Sequence, residues 1–383
     1  MASRCAELTM SDWWVSLFGE AGVPGVLEAF QGGEPFVVHG SRERLPGWMN
    51  HDCLVSAEAL CGQYTGRILH GRRDQGPRST LVERGSAADL LAAGEALYLP
   101  DVSEVITESK AWLRQFESFL GIPTGCARAT AWMAPAGEGT AMHLDAEDVV
   151  SIQLVSDKSF AVAEPAALPF PVGFQFGPGI PAAADLYPQA AHGFPHPGGA
   201  VFTEVSLNPG SVLVLPRGHW HHTRAAEVSL SLSIIATPPT RLDWALGVLR
   251  HRGLQEAELR RPLYGAPTAI ERSRCAASFS VLAGSLTEPG EEDGWSDATT
   301  LQGIPSITVE PGNPPHALNH YDGTRRVLEL CPQAQALLRW WGGRSAAFTV
   351  AEARAALGSG VEVALDALMQ ADVLYRWPIS MVT

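Results

Sequence analysis

The chain runs to 383 residues, long enough for two or three domains around full-sized cores. Its hydrophobic content of 46% excludes a disordered chain, and it holds no run of about eighteen apolar residues that would span a bilayer. A net charge of −14 opposes general affinity for phosphate backbones and favours a basic partner through long-range attraction.

Six scattered cysteines (Cys5, Cys53, Cys61, Cys126, Cys275, Cys331) form no Cys-x-x-Cys pair. That pattern suits reduced thiols in a cytoplasmic protein and argues against a structural zinc site. The first residues lack a basic stretch followed by an apolar core, so no secretory signal is read. Only two of the 27 basic residues are lysines, Lys110 and Lys158. With Ala, Gly and Pro abundant, this suits a GC-rich genome, and a lysine kept in that background invites a chemical reason.

In chain order, Ser11 to Phe30 reads as an amphipathic helix, opened by Ser11-Asp12 and interrupted from Gly22 to Pro24. Glu34 to His39 and Ala96 to Leu99 read as short strands. Glu104 to Leu120 has helical periodicity and ends before Gly121 and Pro123. From Ala127 the pattern becomes mostly β. Arg128 to Ala134 is a strand, residues 135–139 a turn, His143 opens a strand region, and Val149 to Val155 and Phe160 to Ala163 follow. Residues 165–200, rich in Pro, Gly and Ala, have the character of a lid or binding loop. Gly210 to Pro216 and Ser229 to Ala236 close a pattern of short strands that indicates a small barrel or jelly roll. Arg241 to Arg261 is a helix between prolines. Residues 286–315 read as an acidic linker plus a strand. The tail has the order of a winged helix, with helices Ala334–Trp341, Thr349–Leu357 and Val361–Ala371, then a strand at Val373–Trp377.

The chemistry concentrates in the β region. His143-Leu144-Asp145, if extended, puts two metal-binding side chains on one face, because strand side chains alternate. A distant histidine would complete a two-histidine, one-carboxylate set that leaves three positions open on non-haem Fe(II). His219, His221 and His222 all compete for that place. If their segment is extended, His219 and His221 share a face and His222 points away. His192 and His196, in the loop, read as lid or surface residues. Lys158 suits the anchoring of a carboxylate deep in a β pocket, where a compact ammonium acts as a point charge. Thr140 could add a hydroxyl to the same carboxylate. No Gly-x-Ser-x-Gly elbow, phosphate-binding loop or His-Glu-x-x-His helix is present, and Gly177-Pro178-Gly179 is a turn, not a dinucleotide fingerprint.

The run from Ala131-Trp132-Met133-Ala134-Pro135 through Gly139, His143-Leu144-Asp145, Asp148-Val149-Val150 and Gln153-Leu154 to Lys158 resembles the JmjC-type cupins of the ribosomal oxygenase group. Leu215-Pro216-Arg217-Gly218-His219-Trp220-His221 is similar to that family's closing Pro-x-Gly-x-x-His motif, whose last histidine binds metal. The resemblance therefore selects His221 as the third ligand beside His143 and Asp145. In related asparaginyl hydroxylases a threonine three residues before the first ligand and a lysine fifteen after it hold the 2-oxoglutarate tail. Thr140 and Lys158 stand at both offsets. The bacterial arginine hydroxylases of the group often have arginine where this chain has Lys158, and Ser159-Phe160-Ala161 departs from the usual basic-aromatic continuation.

The resemblance implies an α+β chain, mainly β with helices. It has a double-stranded β-helix (jelly-roll, cupin) catalytic domain over 1–240, a helical dimerisation region over 241–290, and a linker and winged helix over 291–383. It implies an Fe(II)- and 2-oxoglutarate-dependent dioxygenase that hydroxylates a side chain of a ribosomal protein or peptide natural product, acting as a homodimer without nucleic acid or membrane. The alternative is a winged-helix regulator or a cupin that only binds a ligand. The negative charge opposes DNA binding, since Arg339, Arg344, Arg354 and Arg376 make a modest basic set.

Overall fold

The alternation Ser229-Leu230-Ser231-Leu232-Ser233-Ile234 decides how the first part of the chain is layered. A strand with such alternation presents apolar side chains to one face and hydroxyls to the other. All eight residues of this strand, Ser229–Ala236, are buried, so both faces are covered. In the computed structural model it lies inside an eight-stranded antiparallel sheet. The structure describes residues 12–72, 78–165, 168–173, 175–178, 180, 182, 184–190, 193–254, 256–262, 266–282, 300–303, 307–310, 316–319, 325–328, 330–341, 348–358, 360–370 and 374–377.

The chain divides into two units, one built mainly from 1–120 and 127–237, the other mainly from 238–320 and 324–383. The first contains helices α1 (Asp12–Phe18), α2 (Gly22–Phe30), α3 (Ala57–Cys61), α4 (Ser86–Ala92) and α5 (Glu108–Leu120). Its strands are β1 (Phe36–Val38), β2 (Gly66–Gly71), β3 (Arg78–Val82), β4 (Ala96–Leu99), β5 (Ala127–Ala134), β6 (Asp148–Val155), β7 (Lys158–Pro165), β8 (Phe202–Leu207), β9 (Val212–Leu215), β10 (His219–Ala225) and β11 (Ser229–Ala236). The larger sheet has the order β1-β9-β6-β11-β5-β4-β2-β3, and the smaller β10-β7-β8.

The two sheets face each other. Val149, Leu213, Leu215 and Ile235 of the larger sheet pack against Phe160, Val162 and Leu207 of the smaller in one buried cluster. Directly paired residues of antiparallel strands share a face. The registers Ser231↔Gln153 and Ser233↔Ser151 therefore align hydroxyls and an amide along the inner face of β11 and β6. Leu232↔Ile152 and Ile234↔Val150 lie on the outer face. The interior is thus apolar at one end and polar further along.

Several boundaries differ from the sequence reading. The first helix breaks at a 3-10 turn, Gly19–Ala21, and resumes at Gly22. Pro24 sits in the first turn of α2, where its missing N–H costs no helical hydrogen bond. The helix expected from Glu104 begins at Glu108, because residues 102–106 form a tight turn closed by Ile106 N–H on the Val102 carbonyl. His143 opens no strand. It makes an isolated bridge to His221, and the strand begins at Asp148. Strands β2, β3, β8 and β10 carry too many Gly, Arg, His or Ser residues to stand out by hydropathy.

In the second unit, the helix expected over Arg241–Arg261 stops at Gly253 as α6 (Arg241–Gly253), followed by a turn closed on the Glu256 carbonyl. A further helix, α7 (Ala269–Leu282), packs against α6. Then come β12 (Thr300–Gly303), β13 (Ile307–Glu310), β14 (His316–Asn319), β15 (Arg325–Val327), α8 (Pro332–Trp341), β16 (Phe348–Thr349), α9 (Val350–Leu357), α10 (Val361–Gln370) and β17 (Leu374–Trp377). Thr349 and Glu352 form a capping box that starts α9. Leu337, Trp341, Phe348, Val350, Ala353, Leu365 and Leu374 join α8, α9, α10 and strands β16 and β17 around one core. Arg344 of the basic set lies outside the described residues. Among those residues no helix is long and apolar enough to cross a membrane.

Candidate metal centre

Two backbone hydrogen bonds join segments distant in sequence. His143 N–H donates to the His221 carbonyl at 3.0 Å, and His221 N–H donates back to His143 at 2.8 Å. Such a pair sets the two side chains side by side on one face, and their rings lie 4.2 Å apart. Asp145 completes the group, with Oδ1 3.6 Å from His143 Nε2 and Oδ2 3.5 Å from His221 Nε2. One ligand atom from each of the three lies within 4.8 Å of the others, the one such grouping among the described residues. Cis ligands of an ion bound at about 2.1 Å are about 3 Å apart, so the spacing closes on a single ion.

The ring nitrogens are oriented for coordination. His143 Nδ1 donates to the Ala141 carbonyl at 2.7 Å, and His221 Nδ1 to the His219 carbonyl at 3.0 Å. Each Nε2 is thereby left with its lone pair towards the shared point. Burial, with the neighbouring His143, pushes the His221 imidazole down to about 4, so it is a neutral donor at physiological pH. Two imidazole nitrogens and one carboxylate on one side of an ion form the facial set of non-haem Fe(II), and the residues fit that ion.

The competing histidines go elsewhere. His219 is buried and donates through Nδ1 to the Pro216 carbonyl, outside the triad. The pairing of β10 with β7 slips between His219 and His221, so simple alternation does not carry from one to the other. His222 lies on the opposite face, 5.9 Å from the Phe202 ring. His196 is exposed and caps Gly198 N–H, and His192 lies outside the described residues.

Charge pairs hold the loop that carries Asp145. Arg217 donates from its backbone N–H and its guanidinium to the buried Asp148 carboxylate, with Nη2 2.6 Å from Oδ2. Arg128 reaches both oxygens of Glu147 at 2.9 Å, opposing the upward push of burial on that carboxyl. Gly218, at φ +84°, turns the chain so that its N–H meets the Asp145 carbonyl at 2.8 Å. This explains a glycine within the Pro-Arg-Gly-His segment. From the 165–200 loop, Phe176 exchanges two backbone hydrogen bonds with Leu144, so the loop adds an edge to the ligand-bearing segment. A Cβ on Gly177 would lie 2.5 Å from the Met142 carbonyl oxygen and 3.1 Å from His143 Cα. Phe176 stacks on Phe194 and nears Trp220, on the outer side of the smaller sheet.

His221, Thr223 and Ala225 pair with Val162, Phe160 and Lys158, so all six face the interior. Lys158 is buried, and burial pushes its ammonium down to about 8. Its Nζ lies 3.3 Å from Ser231 Oγ across the interior. Among the described residues no carboxylate comes within ion-pairing distance of it. A buried cation without a counter-ion is costly by itself and fits an anionic ligand. Thr140 contacts Thr223, its N–H donating to the Thr223 hydroxyl at 2.9 Å, with the two hydroxyl oxygens 3.0 Å apart. Thr223 was not singled out from the sequence, although its place two residues beyond His221 puts it on the same face.

Residues 102–243 match the family model of the JmjC domain. The His143, Asp145 and His221 grouping and the buried Lys158 all lie within that matched span. An uncharacterized protein of Bacillus subtilis (strain 168), YxbC, is 27% identical over 246 residues, which cover 61% of this chain and 73% of that protein. Among solved structures, the X-ray structure of Escherichia coli YcfD is similar over 92% of this chain and 98% of its own, at 17% identity and a TM-score of 0.46. YcfD, described as a ribosomal oxygenase, in complex with cobalt and 2-oxoglutarate matches over 93% and 98%, at 16% identity and a TM-score of 0.45.

The geometry predicts that His221→Ala lowers affinity for Co(II) or anaerobic Fe(II) by at least about 100-fold, since a group that touches the ion outweighs the hydrogen-bond partners of such groups, whose loss costs about 10–100-fold. His219→Ala keeps metal affinity within about threefold, below that range. Calorimetric titration of both variants checks this, and equal losses would remove His221 from the ligand set.

Proposed function

We propose that the chain is an Fe(II)- and 2-oxoglutarate-dependent oxygenase that hydroxylates a side chain within a peptide or protein. The observation that carries this reading is the placing of His143, Asp145 and His221 on the same interior as the uncompensated Lys158. When bound, the ferrous ion and 2-oxoglutarate supply the oxidising chemistry, in which dioxygen is consumed, succinate and carbon dioxide are released, and one oxygen enters a substrate C–H bond. The triad holds one side of the ion and leaves the other for co-substrate and dioxygen. Lys158 neutralises the distal carboxylate, helped by the Thr140 and Thr223 hydroxyls. Phe160, Val162, Leu213 and Ile235 keep water from the apolar end of the interior.

The net charge of −14 favours a basic substrate segment, which suits a ribosomal protein, with a peptide natural product as the competing choice. We place a homodimer contact on α6 and α7. None of their described residues is buried, and Leu242, Leu246, Ile270 and Phe279 are exposed by 46–67%. Such side chains, present on two helices packed together, are supported by a second copy covering them. We read the α8–α10 core with its small sheet as a winged helix serving packing, in a cytoplasmic protein.

Purified protein with Fe(II), 2-oxoglutarate and a basic ribosomal peptide or a biosynthetic precursor peptide should release succinate and add one oxygen to the peptide by mass spectrometry. His143→Ala and Asp145→Ala should abolish both signals; persistent turnover in them would sink the reading. The 2-oxoglutarate KM should be flat below about pH 8 and rise towards tenfold per unit above it, as Lys158 loses its proton. Lys158→Arg, charged throughout this range, should lack that alkaline rise. Replacing Leu242 and Leu246 together by Asp should convert a dimer into a monomer in analytical ultracentrifugation, and a wild-type chain already monomeric would refute the contact.

A further inference from the structure

Lys158 stands at the end of a chain of buried polar groups whose direction is fixed. Gln153 Nε2 lies 2.8 Å from the Val155 carbonyl and 2.7 Å from the Ser156 carbonyl. Carbonyl oxygens only accept, so both amide hydrogens are committed to them. Gln153 Oε1 must then accept, and it does so from the Ser231 hydroxyl at 2.7 Å. With its one proton given to Gln153, Ser231 Oγ faces Lys158 Nζ as an acceptor, at 3.3 Å. Gln153 and Ser231 are fully buried and Lys158 is 4% exposed, so water does not substitute for these bonds.

The same amide also sets the backbone from which Lys158 projects. Val155 ends β6 and Lys158 begins β7, with Ser156 and Asp157 between them. Ser156 has φ +55°, a left-handed conformation rare for a residue with a side chain. Gln153 holds the carbonyls on either side of that strained peptide unit. The Gln153 backbone is itself fixed to the neighbouring turn, N–H to the Ser211 carbonyl and carbonyl to Gly210 N–H.

We propose that Gln153 and Ser231 are positioning residues for Lys158, placing its ammonium by neutral acceptors alone so that its charge stays available to the distal carboxylate of 2-oxoglutarate. This rests on the oxygenase reading. A carboxylate in place of the Gln153 amide would forfeit the two bonds to the turn and put a competing anion behind Ser231. Neutrality at residue 153 therefore distinguishes a ligand-binding lysine from one spent on an internal ion pair.

The test uses the chain's two lysines, Lys110 and Lys158. Lysine labelled at Cε gives one resonance set for each in the metal-loaded, oxygen-free protein, and Lys110→Arg assigns them. Titrating 2-oxoglutarate into wild type should shift the Lys158 signals and leave Lys110 still. Gln153→Glu and Ser231→Ala should each need about tenfold more 2-oxoglutarate for the same shift, the scale of one hydrogen bond to a charged group. In turnover the KM should rise by that factor while kcat and metal affinity stay within about threefold of wild type. Unchanged affinity in both variants overturns the inference while leaving the oxygenase reading intact, as does a loss shared equally by metal affinity and kcat. A wild-type Lys158 signal indifferent to 2-oxoglutarate removes the anchor reading itself, and the inference with it. Should one variant fail to fold, the other decides.

Discussion

The reciprocal backbone bond between His143 and His221 is the constraint on which the site depends. Three candidate metal donors taken from two segments distant in sequence would pay a large ordering cost if their side chains had to find one another freely. Here the main chain does the work, through an isolated antiparallel bridge between the two segments, and the side chains need only point inward. Around that link, Arg217 with Asp148, Arg128 with Glu147, and the Gly218 turn keep the Asp145 loop in place. Removing the bridge would cost geometry at all three donors at once.

A second tension runs along the interior. The space between two facing sheets is ordinarily filled with apolar side chains, and here it is at the end held by Val149, Leu213, Leu215 and Ile235. Further along it contains serines, threonines, a glutamine and a lysine at almost no exposure. Among the described residues the Ser151 and Ser229 hydroxyls have no hydrogen-bond partner. Buried polar groups carry a desolvation penalty unless satisfied. That face accepts the penalty where a polar ligand would relieve it, while β11 turns Leu230, Leu232 and Ile234 the other way to support the fold.

Much of this was legible in the residues, and the limits have physical causes. The strands β5, β6, β9 and β11 carry continuous or alternating apolar patterns and were readable near their true bounds. β10 was not, because His219-Trp220-His221-His222-Thr223 has no hydropathic alternation and takes its conformation from β7. Period-two spacing paired His143 with Asp145, but it left three histidines in competition. The choice of His221 came from family likeness, and the slip in pairing near His219 shows why alternation alone was insufficient. Gln153 stood out only as part of the family-like run and Ser231 only as a strand residue, since what links them to Lys158 is a contact across the interior.

The edge formed by Phe176 and Gly177 against Leu144 sets different rules for parts of the long connection between β7 and β8. Where that connection touches the ligand-bearing segment, even a methyl group has no room at Gly177. Farther along, Tyr187 and Phe194 form a ring cluster on the outer side, and Tyr187 is largely exposed. Grafting or lengthening this connection in a redesigned chain is therefore best done beyond residue 180, with the Phe176-Gly177 dipeptide kept as a fixed splice point.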